Sequence, residues 1–171
     1  SGMRILTLEP NPASPVEVGA WTPRYVHDMY AANGRAFLSE IYDGLQEVYD
    51  ATDPANLVQL GSWTTPNAFT HNCWANPAQN LLVTTDETTN PPGSLAVYDI
   101  SNLAAGAALL GRYVGEVGAT VHNAYFMTSD PQRVAMSYYG SGGHLVDVRR
   151  PTYPVRLGAY DTYPGGTTGF V

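Results

Sequence analysis

Residues 26–63 read VHDMYAANGRAFLSEIYDGLQEVYDATDPANLVQLGSW, and the punctuation of this stretch decides the fold. Met29-Tyr30-Ala31 is a short strand. It runs into Asn33-Gly34, the pair best suited to the left-handed backbone of a tight hairpin turn. Ala36 to Ile41 makes a second strand and Asp43-Gly44 the next turn. Leu45 to Asp50 is the third strand. Thr52-Asp53-Pro54-Ala55-Asn56 then breaks the chain with turn chemistry before the fourth, Val58 to Trp63. Four short strands joined by tight turns describe an antiparallel meander.

The stretch recurs. Val26-His27-Asp28 is echoed by Thr70-His71-Asn72 and by Val121-His122-Asn123, so that His71 lies 44 residues beyond His27 and His122 lies 51 beyond His71. Aspartates close each third strand (Asp50, Asp99, Asp147). A G-x-[WY] motif closes each fourth, at Gly61-Ser62-Trp63, Gly111-Arg112-Tyr113 and Gly158-Ala159-Tyr160, with a further copy at Gly19-Ala20-Trp21. Tandem four-stranded meanders of this length are the signature of β-propeller blades. A β-sandwich also has many short strands, but the aligned His, Asp and G-x-[WY] positions favour the propeller. The reading is all-β: an outer strand at 15–21 of a preceding blade, complete blades at 26–63, 70–113 and 121–160, and a lead-in to another at 161–171. Ser1-Gly2-Met3 reads as a processing scar. Propellers close with about four to eight blades. The expectation is therefore part or half of a larger closed propeller, completed by the same chain, a protein partner or a second copy.

Composition narrows the function. Charged residues are 13% of the 171, about half the share of roughly 25% usual for soluble domains. Every basic residue is arginine, and the net charge is −7 with the acids scattered. Nucleic-acid binding wants a basic patch, which is missing. No apolar run approaches the roughly 18 residues of a membrane span, so direct membrane insertion is not expected. The single cysteine, Cys73, excludes an intrachain disulfide. Low charge, no lysine and 12 tyrosines lean toward an exported protein.

The runs Gly44 to Pro54, Leu60-Gly61-Ser62-Trp63 and Leu157 to Gly166 resemble LVIVD-repeat proteins. More narrowly, the chain is similar to the choice-of-anchor B group, which is rich in H-D and H-N blade openings. The resemblance runs from about Pro15 onward. It implies a β-propeller in an exported or surface-attached protein and brings no catalytic mechanism. Module two departs from the pattern, since Ser101-Asn102-Leu103-Ala104 lacks the proline present at Pro54 and Pro151.

In a meander the start of strand one and the end of strand two share an edge of the blade. That puts His27 with Glu40 and Asp43, His71 with Asp86 and Glu87, and His122 with Tyr138, Tyr139 and His144. First strands line a propeller's channel, so three imidazoles near one mouth could hold a divalent metal with an open position for water. Glu40, Asp86 and Glu87 would then be candidates for general base or for orienting the rings. Asp43, Tyr138, Tyr139 and His144 would form a binding rim. The competing reading makes the repeated His-Asx pair a packing device of each blade. Two functions follow: a non-enzymatic scaffold for binding or assembly, and a metal-dependent hydrolase or lyase.

Overall fold

A computed structural model describes residues 2–162, 164 and 165. Most of the expected lead-in at 161–171 lies outside them. The fold is all-β, with two single 3-10 turns at Leu103–Ala105 and Tyr139–Ser141. Among the described residues no helix is long and apolar enough to cross a membrane. Three four-stranded meanders follow one another. The first is β3 (Asp28–Ala32), β4 (Arg35–Glu40), β5 (Leu45–Asp50) and β6 (Val58–Thr64). The second is β7 (Thr70–Ala75), β8 (Leu81–Asp86), β9 (Leu95–Asp99) and β10 (Ala108–Tyr113). The third is β11 (Val121–Met127), β12 (Asp130–Tyr138), β13 (Gly142–Asp147) and β14 (Val155–Tyr160). Strand order equals chain order in each sheet, and all pairs are antiparallel. Hairpin chemistry acts where the sequence places it. Asn33 and Gly34 both take positive φ, 51° and 74°, between β3 and β4.

One strand escapes the sequence reading. β1 (Met3–Thr7) pairs with β2 (Val16–Trp21), so the segment before the first full blade is a two-stranded sheet rather than a lone outer strand. Met3 is 2% exposed and packs with Trp21, Leu38 and Tyr49.

The core lies between sheets rather than within one. One cluster joins β1 and β2 to the first meander through Met3, Trp21 and Leu38. A second joins the first and second meanders through Phe37, Val48, Cys73 and Leu82. The third joins the second and third through Val83, Val97, Val121 and Val134. Each fully buried aliphatic or Phe side chain contributes about 1.5–3 kcal/mol, so adhesion between blades carries most of the stability. The first strands β3, β7 and β11 lie side by side, which sets the three histidines in a row. Each aspartate ending a third strand closes the following turn: Asp50 accepts from Thr52 N at 2.9 Å, Asp99 from Ser101 N at 2.8 Å and Asp147 from Arg149 N at 2.9 Å.

Candidate metal centre

The His-Asx pair divides its labour. The Asx residue ties blades together. Asn72 Nδ2 donates to Asp28 Oδ2 at 2.8 Å, and Asn72 Oδ1 accepts from Ala124 N at 2.9 Å, one bond toward each neighbouring blade. The histidines form a ladder. The ring centroids of His27 and His71 are 4.5 Å apart, and those of His71 and His122 are 4.3 Å apart. His27 is exposed, His71 buried and His122 intermediate.

Glu87, just past the end of β8, completes the group. Its Oε2 lies 3.5 Å from His71 Nε2 and its Oε1 3.8 Å from His122 Nε2. Tyr139 Oη donates to Glu87 Oε1, and its ring tilts against His122 at 4.9 Å. One ligand atom each from His27, His71 and Glu87 falls within 4.8 Å of the others. Burial, partly opposed by Glu87, pulls the pKa of His71 down to about 4, so this imidazole is neutral at neutral pH and keeps a lone pair for a ligand. Its Nδ1 is buried without a hydrogen-bond partner. Burial and the Glu87 hydrogen bond both push the Tyr139 phenol upward, so it stays a donor to the carboxylate. The set brought together is thus two histidines and a glutamate with His122 alongside, where the sequence offered three histidines. The stacking explains the difference, because His71 separates the two outer rings.

The other expected site residues lie elsewhere. The last residue of each second strand reaches the linker that enters its blade, not the histidines. Asp86, fully buried, accepts from Thr65 Oγ1 and from the backbone N–H of Asn67 and Phe69, both at 3.1 Å. Tyr138, 1% exposed, takes the Gly115 N–H at 2.8 Å. Glu40, fully buried, accepts from Arg24 Nε. These staples hold the linkers in place, so Glu40 and Asp86 are unavailable as general bases. Tyr138 and His144 are buried against each other, with ring centroids 4.7 Å apart, and Tyr113 Oη meets His144 Nδ1 at 2.9 Å. Neither belongs to an exposed rim. Asp43 is exposed in the β4–β5 turn, and Tyr139 belongs to the centre through Glu87.

Sequence reasoning missed the partners of Glu40. Arg24 also donates to Glu47, which is 2% exposed and accepts from Tyr49 Oη at 2.8 Å and Gln59 Nε2 at 2.9 Å. Burial, resisted by Arg24 and reinforced by Glu47, raises the Glu40 pKa from 4.5 to about 7. A carboxyl raised in the fold binds its proton more tightly folded than unfolded, so stability falls as pH rises from about 4.5 through about 7. Glu40→Gln is expected to leave stability nearly unchanged at pH 5 and to raise it by about 1–3 kcal/mol over the parent at pH 8. Urea unfolding at the two pH values checks this, and a gain at pH 5 equal to that at pH 8 would refute it.

No family model matches the chain, and no curated protein matches it. Solved structures do. A protein from Lactobacillus plantarum, 11% identical, superposes with a TM-score of 0.74 over 93% of this chain and 51% of its own. A candidate 6-phosphogluconolactonase from Bacteroides fragilis, 9% identical, superposes with a TM-score of 0.65 over 86% of this chain and 41% of its own. The chain spans about half the length of these structures or less. At such identities the likeness shows the fold alone, and that fold is the β-propeller.

Proposed function

We propose that this propeller segment binds a divalent metal through His27, His71 and Glu87 and uses it to activate water, in the manner of a metal-dependent hydrolase or lyase. The observation that carries the reading is the meeting of three ligand atoms within 4.8 Å from two different blades. Two imidazoles and a carboxylate suit zinc with a fourth position open to water, and metal coordination lowers the pKa of that water toward 7. Tyr139 orients Glu87 through its hydrogen bond, as outer partners of metal-bound carboxylates do. His122 stands beside the same carboxylate and is the group placed to accept the proton of the water.

Zinc titration followed by calorimetry, with metal analysis after dialysis, tests the reading. The protein should bind one equivalent. His27→Ala and Glu87→Gln should each weaken binding at least 100-fold while the thermal transition is retained, and Asp43→Asn should bind as the parent does. Absence of stoichiometric metal, or unchanged affinity in His27→Ala, would overturn it.

A second reading keeps the chain non-enzymatic, as an LVIVD-type module of an exported protein serving as a scaffold for binding or assembly. It is favoured by the LVIVD-like runs at 44–54, 60–63 and 157–166 and by β14, every residue of which is exposed.

A further inference from the structure

A single joint is built three times in this fold. In each sheet the glycine of the G-x-[WY] motif pairs, beside a bulge, with the strand that precedes its own: Gly19 with Ile5, Gly61 with Val48, Gly111 with Val97 and Gly158 with Leu145. The bare backbone of the first three glycines receives the turn that joins strands three and four of the next blade. A Cβ on Gly19 would stand 1.8 Å from Pro54 O, one on Gly61 3.2 Å from Leu103 Cδ2, and one on Gly111 2.5 Å from Pro151 O. The aromatic two residues on docks on the next blade as well. Trp21 meets Tyr49 at 5.8 Å, Trp63 meets Tyr98 at 5.4 Å, and Tyr113 meets His144 at 6.1 Å.

The fourth set is open among the described residues. Nothing lies within 4 Å of a Cβ on Gly158. Tyr160 is 76% exposed, where its counterpart Trp21 is 7% exposed. Every residue of β14 is exposed, and Val155 and Leu157 line a shallow groove of about 440 Å³ with Tyr153. Among the described residues one turn of the seating kind has no glycine that receives it. Residues 8–15, between β1 and β2, are all exposed and hold Pro10, Pro12 and Pro15. Beside that turn Leu6, 50% exposed, occupies the register position of Tyr49 and Tyr98.

We infer that the β14 face of one copy seats the β1–β2 hairpin of a second copy. The Pro10–Pro12 turn lies against Gly158, and Leu6 covers Tyr160. Among the described residues one receptor is unfilled and one turn is unseated, and the two match as the partners of a head-to-tail contact that continues the joints inside the chain. It reuses a packing mode the protein already tolerates, and it removes exposed apolar surface at both ends. The joint contains none of the proposed metal ligands, so it stands or falls apart from the metal reading.

Sedimentation equilibrium of the 171-residue chain with EDTA present tests the contact. Concentration-dependent association is expected, weakened at least 100-fold by Gly158→Arg and, independently, by Leu6→Asp. Gly158 faces open space, so its variant should melt as the parent does. To establish direction, Leu157→Cys protein, whose thiol lines the groove beside Gly158 while that glycine stays bare, is mixed under mild oxidation with Asn11→Cys protein. Disulfide-linked pairs joining the two different variants should form in excess of pairs of like variants. A monomer at 200 µM (a concentration on the order of 100 times a micromolar Kd), association unchanged by Gly158→Arg, or no excess of mixed pairs would each overturn the proposal.

Discussion

Alanine at the four joint glycines is expected to produce a graded loss of stability, with Gly111→Ala among the most damaging single changes in the chain. The added Cβ would sit 2.5 Å from Pro151 O and 2.9 Å from Thr152 C, atoms of a backbone that cannot swing aside. Relief requires moving the whole β13–β14 turn, and with it the third blade against the second. Overpacking of a close joint costs about 1–3 kcal/mol and occasionally more, and this case belongs at or above the upper end because backbone is met. Gly19→Ala meets Pro54 O at 1.8 Å, but it chiefly loosens the two-stranded β1–β2 sheet. Gly61→Ala meets nothing closer than a leucine methyl at 3.2 Å, the far end of a rotatable side chain, and should cost less than about 1 kcal/mol. Gly158→Ala meets nothing and should be neutral, or stabilising by about 0.5 kcal/mol through reduced freedom of the unfolded chain. Urea unfolding of the four variants at low protein concentration gives the ranking. An equal cost at positions 111 and 158 would show that the glycines serve strand geometry rather than the joint.

The same glycines mark what a sequence can disclose. Their recurrence was visible because each blade needs a bare backbone at one register position, and a requirement met repeatedly leaves a periodic mark. The turns at Asn33-Gly34 and Asp43-Gly44 were visible because left-handed backbone restricts residue choice. β1 left no such mark. Its connection to β2 runs through residues 8–15 without a two-residue turn signal, and Met-Arg-Ile-Leu-Thr has no aligned partner elsewhere in the chain.

The candidate centre was legible only in part. His27, His71 and His122 announced themselves by repetition. Glu87 stood among the candidate carboxylates, but its neighbour Asp86 looked equally good. Their separation depends on one residue of register at the end of β8. Asp86 turns toward the linker amides of Asn67 and Phe69, while Glu87 turns toward the histidines. The phenol that orients Glu87 comes from Tyr139, 52 residues away, and no local pattern announces a pairing of that span. The repeat also misled, since equivalent positions carry Glu40, Asp86 and Tyr138. Three different side chains doing one job, stapling a linker, look in sequence like three unrelated candidates.

Removing Arg24 should expose the strain that this stapling contains at the first joint. Glu40 and Glu47 are 0% and 2% exposed, and Arg24 is the cation that both contact. Arg24→Met keeps an apolar stem of similar length against Trp21, whose ring lies 5.6 Å from the guanidinium carbon. It leaves two carboxyls buried with no counter-charge. Breaking a buried ion pair from one side costs about 3–5 kcal/mol. Since the Arg24 side chain is 34% exposed and water reaches it, the lower end, about 3 kcal/mol, is expected at pH 8. The loss should shrink toward pH 5, where Glu40, with its pKa near 7, takes up a proton in the fold. If the damage is charge and not lost packing, Arg24→Met combined with Glu40→Gln and Glu47→Gln should recover most of it, because neutral amides can be hydrogen-bonded without a counter-ion. Unfolding free energies of the single and triple variants at pH 5 and pH 8 decide between the two. A triple variant no more stable than Arg24→Met, with the same loss at both pH values, would assign Arg24 to packing on Trp21. Recovery confined to the triple variant would identify this joint as one held by a single cation between two carboxyls.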